Sequence, residues 1–410
     1  MICSKKFNVL TAQDCFFRFL ILKLACAGAF VLLLPSIQAH PRMVSFDYPD
    51  CRSCHVAVQG RGLLTGMGRS VDMEQSLSPT DATGWLLGAL IDPKYNEAKW
   101  KGRFGNVLAD FTTTTRFKQP LSSAPSDRTF AGIYRQIVFL GSESRLRINT
   151  ELGFLDTGLK DLPLGPDIAS LGGDSLFLKK MTLDYRFKHE DGQGGSELSI
   201  GRDYLPIGLQ LDDVTSYFLA LNRNGIYDYP TQLKYFTWRQ QWLASAFVFA
   251  PSFDENIQAA QEYGTGFMFE YYPKESLVVG MQSLLGWSDL ADRSRSGLFL
   301  RWGINEKWAL LAESDFTTYW DRESASGGGS LNTSFLQVFY NHQEWLVSSI
   351  AGNYAHGDDL RGGGHPFSAR YTLSARISRN LTLGFSVVTG NSQRNLSSGN
   401  EAAAFAAIKF

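Results

Sequence analysis

From about Phe104 to Phe410, apolar and polar residues alternate in segments of about ten residues, broken by Gly, Asn, Asp and Pro. The stretch Arg145 to Phe154 shows the pattern most plainly. Leu146, Ile148, Leu152 and Phe154 fall on one face of an extended chain, and Arg145, Arg147, Asn149 and Glu151 on the other. Earlier, Val107, Ala109, Phe111 and Phe117 alternate with Asn106, Asp110 and Arg116; later, Met181, Leu183, Tyr185 and Phe187 alternate with Lys180, Asp184 and Arg186. One face suits lipid and the other water. A soluble sandwich also alternates, but it buries the apolar face and seldom needs some three hundred residues of single-layer repeats. Beyond residue 39 the longest apolar run, Leu243 to Ala250, is far short of the roughly 20 residues of a spanning helix. The pattern therefore predicts an all-β fold, a transmembrane outer-membrane β-barrel over residues 104–410.

Connection lengths sharpen the expectation, because outer-membrane barrels alternate short periplasmic turns with longer external loops. Tight links are expected near Gly141, Pro273, Asn305, His342 and Arg379. Between them lie polar loops: Lys118 to Arg128, Asp156 to Gly173, Pro251 to Gln261, Asp321 to Leu331, His356 to Pro366 and Gly390 to Glu401. The count comes to about 16 antiparallel strands, an even number that returns both termini to the periplasm. Asn222 to Leu233 breaks the alternation, being long where a short turn is due. Aromatic residues make up 13% of the chain, and pairs such as Tyr271-Tyr272 and Tyr319-Trp320 near strand ends suit interfacial girdles. The last strand, Ala402 to Phe410, closes on an aromatic residue, as the assembly signal of bacterial outer-membrane barrels does.

The N-terminus sets the compartment. Lys5, Lys6, Arg18 and Lys23 precede or interrupt an apolar run from Phe19 to Leu34, and Pro35-Ser36-Ile37-Gln38-Ala39 follows as a small-residue cleavage pattern. Residues 1–39 read as a signal peptide. A transmembrane anchor fits less well, the run being short and carrying Lys23; so does a lipoprotein anchor on Cys26. Cleavage takes the formal charge from −1 to about −4, which gives no reason to expect a nucleic-acid partner. It also removes Cys3, Cys15 and Cys26, leaving Cys51 and Cys54.

Those two cysteines open Cys51-Arg52-Ser53-Cys54-His55, the C-x-x-C-H pattern of covalent haem attachment. Two thiols three positions apart can reach the two vinyl groups of one porphyrin, and the next imidazole can bind its iron. Cys51 and Cys54 would form the thioethers of one haem c, and His55 the proximal metal ligand. A zinc site would need a second pair of ligands, which the chain does not supply. Residues 40–103 form the haem-binding segment, too short for an ordinary globular cytochrome domain, so its shelter is expected at or in the barrel. The sixth ligand stays open among Met67, Met73, Met43, His40 and the new N-terminal amine; Met67, flanked by Gly66 and Gly68, can fold back to the iron.

The loop His356 to His365 carries two imidazoles, with Asp358 and Asp359, and falls on the external side of the strand count, where it is either a metal contact or an ordinary solvated loop. Arg145, Arg147, Glu151, Arg186 and Arg202 are expected to be charge ladders of a hydrated interior. Gly201 to Pro206 lacks the helix of a nucleotide motif and reads as a strand end. No nucleophile elbow, zinc-hydrolase motif or phosphate loop marks a hydrolytic or group-transfer enzyme.

Tyr48-Pro49-Asp50-Cys51-Arg52-Ser53-Cys54-His55, then Gly60 to Thr65 and Gly68-Arg69, then a barrel ending in Phe410, resembles the fused outer-membrane monohaem cytochrome-porins. That family includes the iron oxidases of neutrophilic and acidophilic iron-oxidising bacteria. The resemblance implies electron transfer between an extracellular donor, such as Fe(II), and a periplasmic c-type cytochrome or other carrier. It leaves two alternatives in place: a porin or transport channel with a structural or redox-sensing haem plug, and a conduit sending electrons outward. Oligomeric state stays open, since many porins form trimers.

Overall fold

The computed structural model describes residues 106–120, 127–140, 145–155, 175–187, 194–209, 229–251, 262–288, 291–321, 328–357, 367–378, 381–391 and 401–409. The predicted signal peptide and haem segment lie outside them. Among the described residues, 16 strands form one antiparallel sheet closed into a barrel. They are β1 (Asn106–Pro120), β2 (Asp127–Leu140), β3 (Leu146–Leu155), β4 (Ser175–Phe187), β5 (Gly195–Arg202), β6 (Thr231–Arg239), β7 (Trp242–Ala250) and β8 (Glu262–Lys274), followed by β9 (Leu277–Ser288), β10 (Ala291–Asn305), β11 (Trp308–Asp321), β12 (Gly329–Gln343), β13 (Leu346–Gly357), β14 (Phe367–Arg376), β15 (Leu381–Asn391) and β16 (Glu401–Lys409). Each strand pairs with the next in sequence, and β16 returns to β1 in a register running from Thr112↔Lys409 to Pro120↔Glu401. Closure leaves no strand edge, which is what a sheet in hydrocarbon requires. No helix of the described residues is long and apolar enough to cross a membrane.

The tight links expected near Pro273, Asn305 and His342 are found; Gly141 and Arg379 lie outside the described residues, between strands that are adjacent in sequence and paired. Hairpins turn at 240–241, 275–276, 306–307 and 344–345, with slightly longer links at 141–145, 188–194 and 377–380, all at one end of the barrel. The Asn305 side chain builds one of these turns, its Oδ1 accepting from Lys307 N at 2.9 Å and Trp308 N at 3.0 Å. The other end carries the expected longer links, except that only residues 289–290 separate β9 from β10. Asn222 to Leu233 falls largely outside the described residues. Its residues 222–228 lie outside them, and 229–233 close the link from β5 and open β6, at the long-link end.

Which face points inward follows from burial. On β4, Met181, Leu183, Tyr185 and Phe187 are exposed while Lys180, Thr182 and Asp184 are buried; on β3, Arg147, Asn149 and Glu151 are buried. The same inversion runs round the wall, with 29 large hydrophobic side chains exposed among the described residues, such as Leu298 at 63% and Ile350 at 61%. A water-soluble monomer rarely shows an apolar patch above a few hundred Å². An outward apolar coat and a polar interior is the arrangement of a barrel in lipid. The aromatic pairs need one correction: Tyr271 and Trp320 face outward, but Tyr272 and Tyr319 are buried in the interior. Adjacent strand residues point to opposite faces, so each pair gives the girdle one ring.

Candidate functional site

The interior is organised by a segment that leaves the wall. β5 ends at Gly201 and Arg202, and a φ of 136° at Gly201 redirects the chain where an added Cβ would lie 2.1 Å from the Met181 carbonyl oxygen. From Asp203 to Leu209 every residue is buried. The strand end expected at Gly201 to Pro206 is therefore only its first two residues; the remainder forms a strap across the interior.

Opposite walls hold the two ends of this strap. At the first, Asp203 receives Lys234 of β6 and, at 3.1 Å, Lys180 of β4 on the same oxygen, Oδ2. Gln232 of β6 donates to the carbonyls of Asp203 at 2.5 Å and Tyr204 at 2.9 Å. At the second, Leu209 N donates to Glu313 Oε2 of β11 at 2.6 Å, five strands round from β6. Between them Leu205 and Ile207 pack with Phe247, Phe249 and Leu284, and Leu209 joins an apolar cluster that includes Phe236, Phe299 and Phe339. Apolar side chains inside an otherwise polar barrel are thus the seat of the strap. Gly208 sits at φ 65°, and an added Cβ would lie 2.1 Å from Glu313 Oε1. Replacing Gly208 with alanine is expected to lower stability by about 2 kcal/mol, through left-handed strain and displacement of the Glu313 anchor. An unchanged urea midpoint in detergent would show that the strap is not held there.

Ion pairs spread from both anchors. Arg147 bridges Asp184 at 3.2 Å and Glu197 at 2.6 Å, Ser199 donates to Asp184 at 2.6 Å, and Arg186 adds a second base to Glu197 at 3.0 Å. On the far wall Arg295 meets Asp315 at 2.7 Å and Glu313 at 3.3 Å, while Gln282 donates to Asp315 at 2.5 Å and Glu313 at 2.7 Å. Arg293 pairs with Glu262, and Arg301 with Glu270, each at 2.6 Å. Arg295 is 1% exposed and Glu313 3%, so these pairs are buried against the wall. The expectation of a hydrated interior is corrected for Arg147 and Glu151. It stands better for Arg186, which reaches partial exposure over the Trp238 ring, and for half-exposed Arg145 and Arg202.

A β-bulge accounts for two adjacent lysines facing inward. Glu151 of β3 pairs with Lys180 and the next residue, Leu152, with Leu178, leaving Lys179 unopposed. Lys179 turns to Glu151 at 3.6 Å and lies 5.6 Å from the Tyr229 ring centre. Alternation alone assigns Lys179 to lipid, and only the register shift reverses that. The strap was likewise hidden, because Glu313 stands 104 residues from Leu209.

Cys51, Cys54 and His55, with Met67, Met73, Met43 and His40, lie outside the described residues. Of the loop His356 to His365, His356 is an exposed position on β13 and 358–366 lie outside. Among the described residues no group of three or more His, Cys, Asp or Glu side chains is placed to hold a metal.

No protein-family model and no curated protein matches the sequence. Solved structures do match the fold. OmpF of Salmonella typhi, in complex with daunomycin, superposes with a TM-score of 0.57 at 10% identity, covering 74% of this chain and 97% of that one. An anion-selective porin from Comamonas acidovorans gives 0.53 at 11% identity, covering 74% and 99%. OprB of Pseudomonas putida, at high pH, gives 0.53 at 9% identity, covering 74% and 94%. At such identities the likeness is one of fold: this chain has the architecture of the outer-membrane β-barrel porins.

Proposed function

We propose that this chain is an outer-membrane cytochrome-porin, in which the barrel carries one covalently bound haem and moves electrons between an extracellular donor, Fe(II) foremost, and a periplasmic c-type cytochrome. The observation that carries the reading is the pairing of Cys51-x-x-Cys54-His55 with a lipid-coated barrel in one chain. Two thiols and an imidazole form a donor set that fits haem c. Cys51 and Cys54 would fix the porphyrin covalently, so that an exported protein would not lose it, and His55 would bind the iron. When bound, the haem supplies an iron that accepts and gives up one electron at a time. On this reading the short-link end, where β1 begins and β16 ends, faces the periplasm and the longer links face the exterior, as in other outer-membrane barrels.

The porin-like fold favours a second reading, a solute channel with the haem as a structural or sensing plug. Stopped-flow absorbance separates the two. The detergent-solubilised haem protein is mixed with Fe(II) under anoxia, and growth of the reduced α-band is expected at physiological iron concentration. Haem that stays oxidised with Fe(II), yet is reduced by a periplasmic cytochrome or dithionite, would remove the iron assignment and leave the outward conduit or plugged channel.

A further inference from the structure

One stretch of the outer coat is not apolar. On the outward faces of β4 to β9 stand residues such as Met181, Ile200, Val248, Phe267 and Met281. On β10 to β12 the register sets outward positions in three rows: Ser294, Thr318 and Ser330; Ser296, Phe316 and Asn332; Leu298, Ser314 and Ser334. All but Phe316 and Leu298 are hydroxyl or amide side chains, and Phe316, 54% exposed, stands at their centre. Ser296, Ser314 and Asn332 are exposed, and Ser294, Thr318, Ser330 and Ser334 half-buried. Ser283 of β9 extends the patch, its Oγ 3.3 Å from that of Ser296; Ser314 and Ser334 approach in the same way to 3.2 Å.

Depth decides what the patch means. Trp308 and Trp320 face outward near the two ends of β11. The residues between them span about 40 Å along the strand, or about 30 Å along the axis of a barrel with the usual tilt. That is the height of an apolar band with its aromatic girdles, so Ser314 lies midway and Thr318 just inside one girdle. Acyl chains offer a hydroxyl or an amide no hydrogen bond. The patch holds no Lys or Arg either, so the phosphates of lipid headgroups find no base on it. Hydroxyls and amides both donate and accept, so this face is complementary to itself, and being uncharged it meets a copy without repulsion.

We propose that the outer face of β9 to β13 is the contact between two copies of this chain, packed about a two-fold axis along the membrane normal with Phe316 of each copy near the axis. Such an axis turns the order of the strands round, so the serines of β10 in one copy lie opposite Ser330, Asn332 and Ser334 of β12 in the other. Small side chains let the two walls approach closely, and hydrogen bonds across the seam replace partners that lipid does not supply. The area is sufficient: five strands across the apolar band present about 25 Å by 25 Å, roughly 600 Å² per copy and about 1,200 Å² in all, where specific interfaces begin. The inference rests on the lipid-coated wall and is independent of the haem.

The test begins with cysteine cross-linking of the full-length haem protein in isolated outer membranes, since no strand has a cysteine of its own. On mild oxidation Phe316→Cys is expected to give a covalent dimer. Val248→Cys, 52% exposed on β7, and the parent should give only background. Sedimentation of the parent in detergent should report the mass of two chains. Ser314→Leu with Asn332→Leu, which makes the patch resemble the rest of the coat, is expected to raise the dissociation constant about tenfold or more, because polar contacts are lost from both copies. A heat-shifted band on gels reports that each barrel is folded. A parent that sediments as one chain or three, Phe316→Cys cross-linking no better than Val248→Cys, or an unchanged dissociation constant in the folded double variant would each overturn the proposal. If Fe(II) fails to reduce the haem while the dimer persists, the donor assignment falls and the contact face stands.

Discussion

Replacing Cys51 and Cys54 with serine is expected to abolish covalent haem and all electron transfer while leaving the barrel folded. The five cysteines of the chain all precede residue 55, so no strand contains one, and wall closure depends on backbone pairing instead. Haem-stained denaturing gels should lose their band entirely, since each thioether needs its own sulfur. The same sample should keep the heat-shifted mobility of a closed barrel. A folded double variant with full covalent haem would remove the attachment site. A variant that loses both haem and barrel would show that the prosthetic group is part of the fold, as the plugged-channel reading requires.

Removing the strap's first anchor is expected to have the next largest effect. Asp203 is 1% exposed and is shared by Lys180 and Lys234. Asp203→Ala leaves two buried ammonium groups without their common carboxylate, which costs about 3 to 5 kcal/mol. The measurement is the urea midpoint of the micelle-bound protein. Repulsion between the lysines makes the pair, not the carboxylate alone, the source of the loss. Adding Lys180→Met and Lys234→Met to Asp203→Ala should therefore recover most of it, because apolar groups of similar volume replace a buried ion cluster at little cost. Equal stability of Asp203→Ala and the parent would show that water reaches both lysines.

Much of the wall was legible from alternation, and the reason is geometric. Period two needs no partner to be visible, so Met181, Leu183 and Tyr185 announce a lipid face before any neighbour is known. Turn chemistry adds the rest, as at Asn305. The interior was less legible because its contacts join residues far apart in sequence. Nothing near Tyr204-Leu205-Pro206-Ile207 distinguishes a strap from a strand; the difference lies in Phe247, Leu284 and Glu313, which the sequence does not place beside it. Arg147 is similar: its alternation marks an inward face, but whether that face is wet depends on Asp184 and Glu197, 37 and 50 residues away. The C-x-x-C-H pattern proposed to bind haem is the opposite case. Its chemistry is local and can be read from five residues, and it lies outside the described ones.

Closure by β16 against β1 also governs how the chain is made. Thr112 cannot find Lys409 until the last segment has left the ribosome, and bringing together ends separated by roughly 300 residues costs about 5 kcal/mol of chain entropy. Every hairpin formed earlier has a neighbour in sequence, but the seam does not. Until it forms, the two unpaired edges and the apolar coat must be shielded from other chains, so a need for chaperoning during transit follows from the pairing of nine residues.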